Sequence, residues 1–230
     1  MNTKPFHILA IHGAGMDGGI FGDITPHLLP HYITALNLPG HDKSQTVLTS
    51  ISAMAAYVRA AIEDIPQEKK LALMGHSMGG LMALAAADHP RVEKIIVLSA
   101  AQTMPVNADL LALAKSQPAE AWGKMVKWSI FKDHPQANDM RTAAASIFAR
   151  VPQECLAQDL AACDVARAEP VIKPALFIVG QDDKMVKATE VESFAAQCAK
   201  GKFLSLPACG HMPTLEQPIV TATAIKDFLG

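Results

Sequence analysis

Six short and almost wholly apolar runs punctuate this chain, separated by longer stretches, and nothing else in the sequence restricts its fold as tightly. The runs are His7–Ile11, Tyr32–Leu38, Leu71–Met74, Ile95–Leu98, Ala175–Val179 and Phe203–Leu206. A strand with no polar face has to be covered on both sides, and parallel sheets sandwiched between helices are where such strands occur. Ser52–Ile65, Met78–Asp88, Thr189–Lys200 and Ile219–Leu229 repeat apolar residues at helical intervals; the first ends at Pro66 and the second just short of Pro90. This alternation predicts an α/β fold, a doubly wound sheet of about six parallel strands with helices on both faces. Of the 230 residues, 50% are apolar, enough to bury one core of that kind.

The rhythm lapses once. Between Ala101 and Pro174 no strand-like run occurs over about 70 residues, far beyond an ordinary α/β connection. Asn107–Gln117 with its Asn cap, Pro118–Phe131 with Pro118 in its first turn, Ala137–Ala149 and Pro152–Cys163 read as short helices instead. The expected organisation is a core of residues 1–102 and 171–230, with a small helical cap, 103–170, inserted after the strand ending near Ala101. Trp122, Trp128 and Met125 all fall in the insertion, which is expected to cover an apolar pocket as well as to fill its own small core.

Several roles are set aside on composition. Net charge is −2 with no basic or acidic run, so neither nucleic acid nor an anionic membrane is an expected partner. No apolar stretch is long enough to span a bilayer, and Met1–Phe6 lacks the pattern of a secretory signal, so the expected location is cytoplasmic. Cys155, Cys163, Cys198 and Cys209 fit no zinc spacing and are too few for a disulfide framework; they are read as reduced, buried thiols. His27 and His31 are four apart, but Pro30 disrupts the helix that would align them, and no metal site is expected.

Gly75-His76-Ser77-Met78-Gly79 matches G-x-S-x-G, and its setting matters more than the match. It follows the strand-like LALM directly and opens a helix, the strand–turn–helix context in which a tight turn pushes a serine hydroxyl out at the carboxyl edge of a sheet. The flanking glycines let strand and helix approach each other. The start of the helix then offers free N–H groups and the positive end of its dipole to developing negative charge. GHSMGG in this setting resembles the α/β-hydrolase family, and the likeness extends over nearly the whole chain.

That resemblance implies a triad in the order Ser, acid, His. Of the nine histidines only His89, His134 and His211 follow Ser77 at a distance. His211, in Cys209-Gly210-His211 just after the last strand, is expected at the same sheet edge as Ser77. The acid belongs in Gly180-Gln181-Asp182-Asp183 after the fifth strand; Asp183, followed by Met185-Val186, fits the family's pattern best, with Asp182 as the alternative. His12-Gly13-Ala14-Gly15 after the first strand resembles the family's H-G-x loop. It implies an oxyanion hole made by the backbone N–H groups of Ala14 and Met78, with His12 orienting the loop. His12, Trp122, Trp128, Met125 and Met212 are the expected lining of the substrate pocket. Asn37-Leu38-Pro39-Gly40-His41-Asp42-Lys43-Ser44 resembles the family's D-x-P-G-x-G-x-S loop, with Asn37 for the acid and Asp42 for a glycine. The chain starts at what corresponds to the family's third strand, so the leading β-hairpin is expected to be absent.

Gly13-Ala14-Gly15-Met16-Asp17-Gly18 also fits G-x-G-x-x-G, the dinucleotide fingerprint. That use needs an acid at the end of the next strand, where Asn37 and Leu38 stand, and no cofactor is expected. The expected function is a carboxylesterase cleaving small or medium uncharged acyl esters through an acyl-enzyme, its partner a small-molecule ester. Carbon–carbon bond hydrolases, thioesterases and biosynthetic methyl-ester hydrolases share the triad and stay open at this point. So does a ligand receptor on the same fold, and the choice between monomer and homodimer.

Overall fold

A computed structural model describes residues 4–41 and 46–230. Asp42, Lys43 and Ser44 of the loop noted above lie outside the described residues. The strands are β1 (Phe6–Ile11), β2 (Tyr32–Leu36), β3 (Lys70–His76), β4 (Val92–Leu98), β5 (Ala175–Gly180) and β6 (Gly201–Leu206). They form one sheet in the order β2-β1-β3-β4-β5-β6, and every pair is parallel. Helices α1 (Ile51–Glu63), α2 (Met78–Ala85), α7 (Ala188–Ala195), α8 (Pro213–Glu216) and α9 (Pro218–Leu229) pack around it. Two short 3-10 turns, Gly18–Phe21 and Thr25–Leu28, connect β1 to β2 and had no clear periodic signal. No described helix is long and apolar enough to cross a membrane.

The inner strands match the expectation of apolar runs covered on both faces: all of β5 and all of β3 after its first residue are buried. The outer strands do not. Tyr32–Leu36 reads as a buried strand from its sequence, yet β2 is the edge of the sheet, with Tyr32 54% exposed and its ring beneath Lys69 Nζ. β6, the opposite edge, is likewise only partly covered.

Sheet order decides where a site can form. From β1 the chain crosses to β2 on one side, and later elements add β3 on the other, so the loops after β1 and β3 part in opposite directions. A crevice opens at the carboxyl ends of the strands at such a switch point. The register lines up Ile11 with Gly75, His76 with Leu98, and Gly180 with Leu206, so the segments that follow all leave the sheet at one edge.

Between β4 and β5 lie α3 (Ala108–Ser116), α4 (Pro118–Ser129), α5 (Ala137–Phe148) and α6 (Cys155–Val165). Asn107 caps α3 by accepting from the N–H groups of Asp109 and Leu110, and Pro118 sits in the first turn of α4. α4 buries Ala121, Trp122, Met125, Val126 and Ser129 along one stripe and leaves the Glu120–Lys124 ion pair outside. The segment leaves and rejoins the core at one point, where Thr103 and Arg167 form an antiparallel bridge and Ala168 N–H donates to Gln102 O.

Two glycines let α2 start against the sheet. A Cβ on Gly75 would lie 2.0 Å from Gly79 O, and one on Gly79 would lie 2.1 Å from Ile11 O. Neither neighbour is a flexible side-chain end, so the backbone itself would have to move. Gly79→Ala should therefore destabilise the protein by at least about 3 kcal/mol in urea unfolding, the upper range of overpacking costs. Gly123, inside α4, has nothing within 4 Å of where its Cβ would be, and Gly123→Ala should instead stabilise by about 0.5–1 kcal/mol.

Candidate active site

Ser77 stands between β3 and α2 with φ +53° and ψ −119°, a backbone conformation that side-chain-bearing residues rarely adopt. Its N–H donates to Leu98 O at 2.8 Å and its carbonyl accepts from Gly80 N–H at 2.8 Å, so both neighbouring segments hold it in that state. The hydroxyl side of the turn faces a cavity of about 200 Å³ lined by Ser77, His211 and Ala14.

His211 follows β6 and is 1% exposed. Its Nδ1–H donates to Asp183 Oδ2 at 2.7 Å, while Asp183 Oδ1 accepts from Met185 and Val186 N–H at 2.8 and 2.9 Å. Both carboxylate oxygens are thus satisfied and the imidazole is held by its far nitrogen. Nε2 is buried and makes no hydrogen bond, leaving an acceptor on the ring beside the Ser77 cavity. Asp182 is exposed on the same turn, and its N–H donates to Cys209 O. The other downstream histidines lie elsewhere: His89 pairs with Glu63, and His134 Nε2 meets Glu216 O.

The backbone of His211 is gripped as firmly as its ring. Its N–H donates to Ser129 O at the end of α4. Its carbonyl accepts from His76 Nε2–H at 2.9 Å. Glu216, 4% exposed, accepts from Gly210, Met212 and Phe131 N–H at 2.9, 3.0 and 2.8 Å, clasping both neighbours of His211. Burial pushes the Glu216 carboxyl up, against the pull of those N–H groups. Sequence reasoning missed this residue, although a signal existed: a Glu in the turn opened by Pro213 can reach back to the N–H at the helix start.

The loop after β1 packs on the serine turn, and a Cβ on Gly13 would lie 3.2 Å from that of Ser77. His12 Nδ1–H donates to Gly13 O at 2.9 Å, and Nε2 accepts from Leu38 N–H at 3.2 Å. Ala14 reaches the cavity wall, and the N–H of Met78, first residue of α2, has no intrahelical acceptor. Asn37, where the family has an acid, accepts from Gly18 N–H at 2.8 Å.

Of the expected pocket residues, Met125 and Trp128 line the cavity, together with Met104, Leu110, Leu160 and Lys184 among others. His12, Trp122 and Met212 do not, and each has a reason. His12 is fully buried behind the loop that it ties down. Trp122 stacks on Phe148 at 4.7 Å and covers Gly15. Met212 is 1% exposed, beneath the His211 turn. A larger cleft of about 420 Å³ lies between α2 and residues 166–173, away from Ser77. Among the described residues no group of three His, Cys, Asp or Glu could hold a metal ion, and the four cysteines are free and buried.

Comparison with known proteins agrees with this architecture. The family model described as "Alpha/beta hydrolase family" matches residues 8–224. A pimeloyl-[acyl-carrier protein] methyl ester esterase of Xanthomonas campestris pv. campestris is 25% identical, the match covering 96% of this chain and 94% of that one. Among solved structures, an esterase from Exiguobacterium antarcticum superposes with a TM-score of 0.88 at 17% identity, over 99% of this chain and 93% of that one. An enol-lactonase from Burkholderia xenovorans LB400 gives 0.85 at 20% identity, over 99% and 92%.

The buried histidines make a prediction about stability. Burial, then neighbouring rings, pushes His12 and His76 down to about 3. In the unfolded chain both rings take up protons below about 6.5, whereas in the folded chain neither does until about 3. Their contribution to stability is complete above pH 6.5 and is lost as pH falls, at about 1.4 kcal/mol per pH unit for each ring. Urea unfolding between pH 7.5 and 5 should show this slope, and His76→Gln should be shallower by about one proton.

Proposed function

Because the chain belongs to the alpha/beta hydrolase family, we propose that it is a serine carboxylic-ester hydrolase acting through Ser77, His211 and Asp183. The observation that carries this reading is the buried His211–Asp183 hydrogen bond of 2.7 Å, with the ring's free nitrogen on the cavity that Ser77 lines. Ser77 Oγ attacks the ester carbonyl while His211 Nε2 takes its proton. Asp183 holds the ring in the right tautomer and stabilises the imidazolium that forms. The N–H groups of Ala14 and Met78 receive the oxyanion, each worth about 3 kcal/mol at the transition state. Collapse expels the alcohol, which His211 protonates, and leaves an acyl-enzyme. A water deprotonated by His211 then releases the acid and restores Ser77.

The helical insertion acts as the cap of this site. Its Met104, Leu110, Met125, Trp128 and Leu160 make the walls apolar, which favours an uncharged acyl chain beside the ester. A volume of about 200 Å³ falls below the usual range for sites that hold drug-sized ligands and favours small or medium acyl groups. The relatives are methyl ester esterases, which favours the ester of a small alcohol as the bond cleaved.

Ser77→Ala should lower kcat on p-nitrophenyl butyrate by about a million-fold, and Asp183→Asn by about ten-thousand-fold, with circular dichroism unchanged. Near-parental turnover by folded Ser77→Ala contradicts the mechanism. Across a p-nitrophenyl series, kcat/KM should peak at acetate to butyrate and fall towards decanoate; an optimum at the longest chain contradicts the size of the acyl site.

A further inference from the structure

The oxyanion donor assigned to Ala14 depends on the orientation of its N–H, which lies in the peptide plane before its α-carbon and is constrained through that α-carbon by the plane after it. The plane before it carries Gly13 O, which accepts from His12 Nδ1–H at 2.9 Å and from Met16 N–H at 3.3 Å. Since the two ends of a peptide point in opposite directions, fixing that carbonyl aims the Ala14 N–H the other way. The plane after it carries Gly15 N–H, and its acceptor comes from far away in the chain: Asp159 Oδ2 on α6, at 2.8 Å. The same oxygen accepts from His41 Nε2–H at 2.7 Å.

Asp159 is 1% exposed and His41 4%. A carboxylate so deeply buried is costly unless its oxygens are well used, and here one of them spans three parts of the molecule. Gly15 is also hemmed in by the inserted helices. Its φ is +63°, and a Cβ there would lie 3.0 Å from Leu156 and 3.3 Å from Trp122, so helices α4 and α6 press directly on it. A second tie lies two residues on, where Arg150 Nε and Nη2 donate to Asp17 at 2.8 Å each. The loop that carries the oxyanion donor is thus held from the inserted helices as well as from the sheet.

We infer that Asp159 is a positioning residue for the oxyanion hole: by accepting from Gly15 N–H it fixes the peptide after Ala14, so the inserted helices complete the catalytic centre as well as roofing it. This rests on Ala14 as an oxyanion donor in the proposed hydrolase. An Asp159–His41 contact kept only for stability predicts something different: apolar variants that are less stable, with parental kcat in whatever protein folds.

The test compares the parent with Asp159→Leu, Asp159→Ala and Asp159→Asn on p-nitrophenyl butyrate, with an alkyl trifluoromethyl ketone as inhibitor. The ketone adds to Ser77 and places an oxyanion in the hole. Asp159→Leu should lose about 10- to 100-fold in kcat with KM changed by less than about threefold, since an oxyanion donor acts mainly in the transition state. Ketone inhibition should weaken in parallel. Asp159→Asn, which keeps an oxygen where Gly15 N–H needs one, should recover at least about tenfold of the loss, as an acceptor-based role requires. If Asp159→Leu does not fold, Asp159→Ala carries the same comparison with Asp159→Asn. Folded Leu or Ala variants with parental kcat overturn the inference, as does a loss confined to KM or an Asn variant as impaired as the apolar ones. An active parent beside an undiminished Leu variant overturns this inference alone. A parent that neither hydrolyses the ester nor binds the ketone overturns the hydrolase reading and this inference with it.

Discussion

Helix α2 starts so near the ends of β1 and β3 that a methyl group at Gly79 would sit 2.1 Å from the carbonyl of Ile11. That approach leaves one residue, Ser77, to turn the chain from strand to helix, and it does so in a left-handed conformation. The strain is carried by the sheet, through the bond from Ser77 N–H to Leu98 O, and by the first turn of the helix. Everything at this edge is arranged around the turn: the loop after β1 lies on it, the loop after β6 closes over it, and the inserted helices complete the walls.

The polar groups around the turn form a buried set whose partners are mostly backbone groups. His12 and His76 are too deeply buried to protonate, and each uses an N–H to hold a carbonyl, Gly13 O in one case and His211 O in the other. Glu216 and Asp159 do the complementary work by accepting backbone N–H groups of the His211 turn and the Ala14 loop. Placement of the proposed nucleophile, base and oxyanion donor is therefore a property of the folded core, which is how a site avoids reorganising during reaction. His211 Nε2 is left without a partner beside the Ser77 cavity, where the proposed mechanism needs a proton acceptor; His76 Nδ1 is also unpaired but does not line that cavity.

Much of this was legible in the sequence because the informative residues sit next to strand ends. Ser77, Asp183, His211 and Ala14 each follow an apolar run within a few residues, so identifying the strands placed them at one edge. Other features depend on partners remote in sequence. Asp159 meets Gly15 across 144 residues, and no local pattern announces it. Glu216 works locally, but through the start of a four-residue helix too short to show periodicity. The pocket was half legible for a related reason: composition put aromatic residues in the insertion without saying which way each faces, so Trp128 lines the cavity while Trp122 packs on Phe148. β2 reads as buried because its residues are apolar, and only the strand order reveals it as an edge.

In the proposed reaction one serine, and no other nucleophile, carries the acyl group. Titration with a fluorophosphonate, followed by intact-mass analysis and peptide mapping, reads out that nucleophile itself. One adduct per chain is expected, located on Ser77, with ester hydrolysis lost in proportion to labelling. An adduct at any other residue, or hydrolysis that persists in fully labelled protein, would contradict that reaction.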